Sequence, residues 1–194
     1  SIDAKNEKRF VPDILITVGG AIVSKRIKSF FIRNAPKQHI VINKSNIGID
    51  LFLRLDSHYK CSPSSFFELL NRTATMLNNK NFKATWNQLD YLVKDRIPSF
   101  FNRKQTNTDL EVFHALYHTI PEKCTIHLGN SSIVRYMQLF DPIPKIHYEC
   151  NRGTSGIDGC TSTALGSATA SPNTQHIFIS GDVSFIYDSN AMWT

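Results

Sequence analysis

The stretch HYECNRGTSGIDGCTSTALGSATASPNTQHIFISGDVSFIYDSN, residues 147–190, decides the fold. It predicts a short strand at 145–149, a glycine-rich turn, a helix of small residues at 160–168 and a second strand at 176–180. The second strand is rich in β-branched and aromatic residues, which is typical of a buried strand. This order of elements predicts an α/β unit, and ligands of such sheets bind at the carboxyl ends of the strands.

The glycine-rich turn and the residues after the second strand predict a site for a phosphorylated cofactor and a metal. Gly153, Gly156 and Gly159 allow a tight bend, and the helix that follows presents free N–H groups that favour anions. Their spacing differs from the dinucleotide fingerprint, so the glycines alone fit a helix packed by small residues equally well. Asp182 follows the second strand, where a carboxylate can hold a hard cation such as Mg²⁺ beside phosphate oxygens. Asp188 predicts the N-cap of a further helix.

Three separated motifs, in the same order, resemble those of one enzyme family. NRGTSGIDGCTSTALGSA (151–168), followed by GDVSFIYDSNAMW (181–193), is similar to the pyrophosphate-binding domain of thiamine-diphosphate enzymes. GNSSIVRY (129–136) and VSKR (23–26) narrow the resemblance to the 2-succinyl-5-enolpyruvyl-6-hydroxy-3-cyclohexene-1-carboxylate (SEPHCHC) synthases of menaquinone biosynthesis. The GDG step of many thiamine enzymes is GDV in this chain, a difference that the family tolerates.

The resemblance implies roles for individual residues. In the family, the aspartate of the GD step binds the Mg²⁺ that bridges the diphosphate, which implies Asp182 as the metal ligand. Ile157 corresponds to an apolar residue that shapes the bent conformation of thiamine diphosphate. The implied cofactor-binding residues are Ser155, Gly156, Ile157, Asp158, Gly181, Asp182 and Ser184, and the implied substrate-binding residues are Lys25, Arg26, Ser131, Arg135 and Arg152. The catalytic glutamate of the family belongs to an N-terminal domain, so the resemblance assigns no catalytic residue to this chain.

The activity implied is that of a transferase. Enzymes of this family decarboxylate 2-oxoglutarate with thiamine diphosphate and Mg²⁺, and they add the resulting succinyl-semialdehyde unit to isochorismate. The resemblance also implies a homodimer or homotetramer, because such enzymes place active sites between subunits. Two alternatives remain open: another thiamine-dependent enzyme, of the 2-oxoacid decarboxylase or acetolactate synthase type, and a non-catalytic α/β module that binds a nucleotide.

Two groups of polar residues allow both a binding and a structural interpretation. Lys25 and Arg26 occupy the first turn of a predicted helix, where the helix dipole disfavours cations. They are therefore candidates for a binding site, although solvated surface residues would fit as well. Ser131 and Arg135 are four residues apart on another predicted helix and can grip a carboxylate together. The same pair also fits an ordinary capping serine beside a surface arginine.

The rest of the chain predicts parallel sheets with flanking helices. Strands are predicted at 14–18, 39–43, 49–55 and 124–128, and helices at 23–31, from Pro63 to 78–79, at 83–101 and after Thr108. Pro98 is expected to break or kink its helix, 102–107 forms a loop, and Thr108 with Glu111 forms a capping box. The resemblance assigns residues 1–82 to the C-terminal part of a central Rossmann-like domain. It assigns residues 83–194 to a linker and the N-terminal half of the pyrophosphate-binding domain.

Composition argues against several classes of protein. The formal net charge of +6 is spread along the 194 residues without a basic stripe, which disfavours nucleic-acid binding. Four cysteines without C-x-x-C spacing predict reduced thiols in the cytoplasm. The pairs Cys124/His127 and His147/Cys150 place their side chains on opposite faces of strands, which disfavours zinc. The longest apolar stretch, 14–23, is too short to span a bilayer.

The ends of the chain predict an internal fragment. It begins with serine and stops within a predicted helix. The glutamate domain and the asparagine segment that completes the Mg²⁺ site in the family would lie outside it. We therefore expect the 194-residue chain alone to be catalytically inactive and to bind thiamine diphosphate weakly or not at all.

Overall fold

The computed structural model describes residues 4–20, 22–74, 80–102 and 108–193. It divides into two compact units, Ser1–Arg103 and Lys104–Thr194. Each unit contains one three-stranded sheet, and all strand pairs are parallel. Helices connect the successive strands of each sheet, except the second and third strands of the first unit, which a loop joins. The predicted α/β class is confirmed. The domain boundary predicted at 82/83 stays a prediction; the compact units divide later, after a helix that packs with the first unit.

The first unit is a β1-β2-β3 sheet with its helices. In chain order its elements are a 3-10 helix Ala4–Phe10, β1 Ile14–Val18, α1 Lys25–Arg33, β2 Gln38–Asn43, β3 Ser57–Lys60, α2 Pro63–Thr73 and α3 Lys80–Phe101. Ser24 caps α1 by accepting a hydrogen bond from the backbone of Ile27, so the helix begins two residues later than predicted. The helix predicted to run from Pro63 to 78–79 ends earlier, at Thr73, because Ala74 adopts an extended conformation. The loop residues 103–107 lie outside the described residues.

Aromatic side chains form the core of the first unit. Phe10, Phe30, Phe31 and Phe52 are buried together. Phe31 lies edge-on between Phe30 and Phe52, with ring centroids 5.0 and 5.3 Å away. Trp86 of α3 packs edge-on against Phe10 at 5.1 Å, which anchors the long helix to this unit. Such edge-to-face pairs contribute about 0.5–1.5 kcal/mol beyond their buried area.

The prediction of a strand at 49–55 is wrong, because this segment is a loop held by Asp50. The Asp50 carboxylate accepts hydrogen bonds from the backbone N–H groups of Phe52, Arg54 and Leu55 at 3.0–3.2 Å. These bonds compete with a strand ladder. Leu53 adopts a positive φ of 58°, and Phe52, only 1% exposed, turns inward to the aromatic core. The third strand of the sheet follows at β3. Pro98 also departs from expectation, since α3 continues through it.

The second unit is a β5-β4-β6 sheet in which β4 is central. Its elements are α4 Asp109–Tyr117, β4 Cys124–Leu128, α5 Ser132–Met137, β5 His147–Glu149, α6 Cys160–Ala170, β6 Gln175–Ile179, α7 Asp182–Tyr187 and a 3-10 helix Ser189–Trp193. Every residue of β4 is buried, as expected for the middle strand. The capping box of Thr108 and Glu111 at the start of α4 is confirmed. Within the described ranges, no helix combines the length and apolar character needed to cross a bilayer.

Candidate functional site

A cleft of about 690 Å³ opens at the carboxyl ends of β4 and β6 in the second unit. It is lined by Asp109, Val112, Phe113 and Leu116 of α4, by Asn130, Ser131, Ser132, Ile133 and Tyr136 after β4, by Ile157, and by Ile179, Ser180, Gly181, Asp182, Val183 and Ser184 at the end of β6 and the start of α7. Val112, Phe113 and Leu116 of α4 form an apolar wall, and serine hydroxyls and the carboxylates of Asp109 and Asp182 also line the cleft. This is the edge of a parallel sheet at which ligands bind.

Asn130 holds the cleft together from the end of β4. Its side chain is only 3% exposed, and its amide nitrogen donates to the backbone carbonyls of Asn151 and Gly156, both at 2.7 Å. Its amide oxygen accepts a 2.7 Å hydrogen bond from the Arg152 guanidinium and a weaker one from the Cys150 thiol. Asn130 thus fixes the residues after β5 to the end of β4.

The glycine-rich loop shares the cleft with the start of α7. The Ser184 hydroxyl donates to the backbone carbonyl of Ile157 at 2.6 Å, and Ile157 lines the cleft together with Asp182. Of the three glycines expected to bend the loop, only Gly159 has a positive φ, of 78°. The second left-handed residue is Ser155, with φ of 62°. The bend therefore depends on one glycine and one serine.

The helix start after the loop does not present the free N–H groups that the sequence predicted. Asp188, which is 9% exposed, accepts hydrogen bonds at the beginning of α6 from the Ser162 backbone at 2.7 Å and the Ser162 hydroxyl at 2.6 Å. Burial alone would raise the pKa of Asp188, but hydrogen bonds from Ser162 and from the backbones of Thr161 and Gly159 outweigh it and lower the pKa. Asp188 thus caps α6 instead of the following helix. The Asp188 carboxylate therefore occupies the position at the start of α6 where an external anion would otherwise bind.

Ser131 lies at the turn from β4 into α5 in a strained conformation, with φ of 73° and ψ of −117°. Its side chain makes no capping hydrogen bond, which argues against the interpretation as an ordinary capping serine. It lines the cleft and is exposed. Strained non-glycine residues cluster at functional sites because the surrounding structure must hold them in place.

The structure brings together some of the predicted residues and leaves others apart. Five line the cleft: Ser131, Ile157, Gly181, Asp182 and Ser184. Asp182 is the first residue of α7, exposed at the end of β6. Ser155, Gly156 and Asp158 flank Ile157 in the loop without lining the cleft. Arg135 is exposed on α5 and is not among the lining residues, while Arg152 contacts Asn130 and leaves its buried Nε without a partner among the described residues.

Lys25 and Arg26 belong to the first unit. Both are exposed in the first turn of α1, as predicted. Their role in binding stays a prediction. Of the described residues, no group of three or more histidine, cysteine, aspartate or glutamate side chains is arranged to hold a metal ion. All four cysteines are free.

Sequence reasoning missed Asn130, Asp188 and Asp109. Asn130 stands inside the GNS motif, beside the serine that was singled out. Asp109 lies within the Thr108–Glu111 capping box at the start of α4, and it lines the cleft with Phe113. No pattern along the chain indicates that Asp188 reaches Ser162, because 26 residues separate the two.

The second unit is therefore an α/β unit with a cleft where its parallel strands end, the edge at which sheets of this class bind ligands. Comparison with known proteins indicates which family the chain resembles. No protein-family model matches the sequence. Curated relatives do match it over nearly its whole length, and they share one description.

These relatives are SEPHCHC synthases. The chain is 40% identical over 193 residues to the enzyme of Flavobacterium johnsoniae, covering 98% of this chain and 34% of the relative. It is 41% identical to that of Flavobacterium psychrophilum (95% and 33%) and 36% identical to that of Bacteroides thetaiotaomicron (95% and 32%). The resemblance to SEPHCHC synthases is confirmed, and the chain spans about a third of the length of the curated relatives it matches.

Proposed function

We propose that this chain is the part of a SEPHCHC synthase that contains the C-terminal part of the central domain, a linker and the N-terminal half of the pyrophosphate-binding domain. The whole enzyme would be a cytoplasmic transferase of menaquinone biosynthesis that decarboxylates 2-oxoglutarate and adds the product to isochorismate. The observation that carries the proposal is the shared cleft. Asp182 and Ile157, two residues 25 positions apart that the family motif links to one cofactor, line the same cavity.

The donor set of the cleft fits thiamine diphosphate with Mg²⁺. The Asp182 carboxylate lines the cleft and is a hard oxygen ligand of the type that Mg²⁺ prefers. The hydroxyls of Ser131 and Ser180 line the same cleft and are polar partners for phosphate oxygens. The apolar wall, which includes Phe113 and Ile157, suits an organic ring. When bound, thiamine diphosphate supplies the carbanion chemistry that decarboxylates a 2-oxo acid.

The residues of the chain would act by binding and orienting. Asp182 would hold the metal, and the Ser184 bond to Ile157 would keep that apolar side chain at the cleft. Because Asp188 already accepts hydrogen bonds at the start of α6, we propose that Asp182, and not this helix start, would hold the diphosphate end of the cofactor through Mg²⁺. Lys25, Arg26, Arg135 and Arg152 would neutralise substrate carboxylates, with Ser131 as a hydroxyl donor.

The test uses the longer natural protein that we propose contains this chain. Isothermal titration calorimetry with thiamine diphosphate and Mg²⁺ is compared with NAD, FAD and ATP. We expect binding of thiamine diphosphate only, with affinity reduced at least tenfold in Asp182→Asn. Glu122→Gln, which changes an exposed carboxylate away from the cleft, is the matched control.

Turnover identifies the substrates. We expect joint consumption of 2-oxoglutarate and isochorismate, with release of carbon dioxide. Release of carbon dioxide from pyruvate without isochorismate would instead indicate a decarboxylase or acetolactate-synthase type of enzyme. Binding of ATP or NAD without thiamine diphosphate would overturn the proposal in favour of a nucleotide-binding module. Native mass spectrometry tests the proposed homodimer or homotetramer.

A further inference from the structure

Two histidines face each other near the end of α4. His114 and His118 are one helical turn apart, and their Nε2 atoms are 3.1 Å from each other. The ring centroids are 4.6 Å apart and the ring planes are nearly perpendicular. Residues four apart lie on the same helix face. Two histidines at this spacing on one helix are the ligand pair with which zinc metalloproteases hold their metal.

The neighbours of His114 hold its ring in place and favour its neutral form. His114 is half-buried and packs against the ring of Phe140, with centroids 5.7 Å apart. Burial, followed by the proximity of His118, lowers the pKa of His114. His118 is exposed beside Tyr117. A neutral imidazole is the form that binds a metal.

We propose that His114 and His118 form a two-ligand site for a late divalent transition-metal ion such as Zn²⁺, Ni²⁺ or Cu²⁺. With metal–nitrogen bonds of about 2.0–2.1 Å, two Nε2 atoms at 3.1 Å subtend an angle of roughly 100° at the metal. That angle lies between the tetrahedral value and the right angle of square-planar geometry. The metal would replace the hydrogen bond that now joins the two rings.

This site differs from the proposed Mg²⁺ site in its chemistry. Imidazole suits Zn²⁺, Ni²⁺ and Cu²⁺, whereas Mg²⁺ requires oxygen ligands. Of the described residues, none adds a third protein ligand, so water or a small ligand would complete the coordination. Binding should therefore be reversible, and Cu²⁺ should bind most tightly of the three. The inference does not rest on the proposed function.

The site would connect to the cleft through the helix itself. Residues Val112, Phe113 and Leu116 of α4 form the apolar wall of the cleft. A metal bound to both His114 and His118 would link two residues at the end of the same helix and stabilise its last turn. Metal binding to the folded state alone also raises the thermal midpoint.

Calorimetric titration of the purified protein with ZnCl₂, NiCl₂, CuCl₂ and MgCl₂ tests the proposal. We expect one Zn²⁺ per chain in the wild type, binding at least tenfold weaker in His118→Ala, and no Mg²⁺ at this site. His147→Ala is the matched control, because it removes another exposed imidazole. It should leave Zn²⁺ affinity within twofold of wild type.

A second measurement distinguishes loss of the metal site from misfolding of a variant. The thermal midpoint should rise with Zn²⁺ in wild type and in His147→Ala but not in His114→Ala or His118→Ala. Circular dichroism without metal should be the same in all four proteins. The proposal is overturned if His118→Ala binds Zn²⁺ as tightly as wild type. A second histidine pair lies on neighbouring strands, with His127 Nε2 3.0 Å from His176 Nδ1. The proposal is also overturned if Zn²⁺ binding is lost only in His176→Ala.

Discussion

Replacing Asn130 by alanine should cost the second unit a large part of its stability. The substitution removes two hydrogen bonds to backbone carbonyls and one to a guanidinium, each of 2.7 Å. A neutral hydrogen bond contributes about 1 kcal/mol and one to a charged group about 1.5–3 kcal/mol. The sum is roughly 3–5 kcal/mol, against a total stability of about 5–15 kcal/mol for a domain.

Urea unfolding followed by circular dichroism measures this loss. Asn173→Ala changes an exposed asparagine of the same unit and should stay within about 0.5 kcal/mol of wild type. Asn130→Asp keeps the acceptor for Arg152 but places a carboxylate against two carbonyls, so it should also destabilise. It separates the donor contribution from the acceptor contribution.

Limited proteolysis tests whether Asn130→Ala also loosens the loop that contains Arg152. Arg152 is anchored by Asn130 in the wild type, so trypsin should cleave after Arg152 more rapidly in Asn130→Ala than in Asn173→Ala. If Asn130→Ala unfolds within about 1 kcal/mol of wild type and the cleavage rate is unchanged, the inference that Asn130 organises the site is refuted.

Three further predictions concern single residues. Asp188→Ala should lower the free energy of unfolding at pH 7 by about 0.5–2 kcal/mol, the range for a helix cap replaced by alanine. Because the folded-state pKa of Asp188 is lowered, the wild type should lose this stability as pH falls below about 4, while the variant should not. Ser131→Gly should relieve strain and raise the free energy of unfolding by about 1 kcal/mol in urea titrations, and a loss of stability would contradict the strained assignment. Burial, with His176 next in effect, lowers the pKa of His127, so stability should be full above about pH 6.5 and fall as pH drops below it; His127→Gln should flatten this pH profile, measured by thermal unfolding.

Local patterns along the sequence were sufficient for the order of elements around the cleft. The β-branched run before Ser180 indicated β6, and the position of Asp182 at a strand end followed from it. The capping box at Thr108 fixed the start of α4, because both partners lie within one helical turn. Each of these features depends on neighbours in sequence.

The features that could not be predicted depend on distant partners. Asp188 reads as the cap of the helix that follows it, yet its carboxylate reaches Ser162 of an earlier helix. Residues 49–55 alternate like a strand, but tertiary burial of Phe52 and the turn at Asp50 prevail over β-propensity. The role of Asn130 depends on carbonyls that only the folded chain brings within reach.

The interlocked contacts of Asn130, Ser184 and Asp188 determine how a ligand would meet this cleft. These hydrogen bonds hold the backbone around the cavity without a ligand, so we expect the ordering entropy of about 1–2 kcal/mol per residue to be lost on folding and not on binding. We therefore expect the cleft to be preorganised for a ligand. We expect ligand binding to change the amide hydrogen exchange of residues 151–159 little, since these residues are already held by hydrogen bonds before a ligand binds.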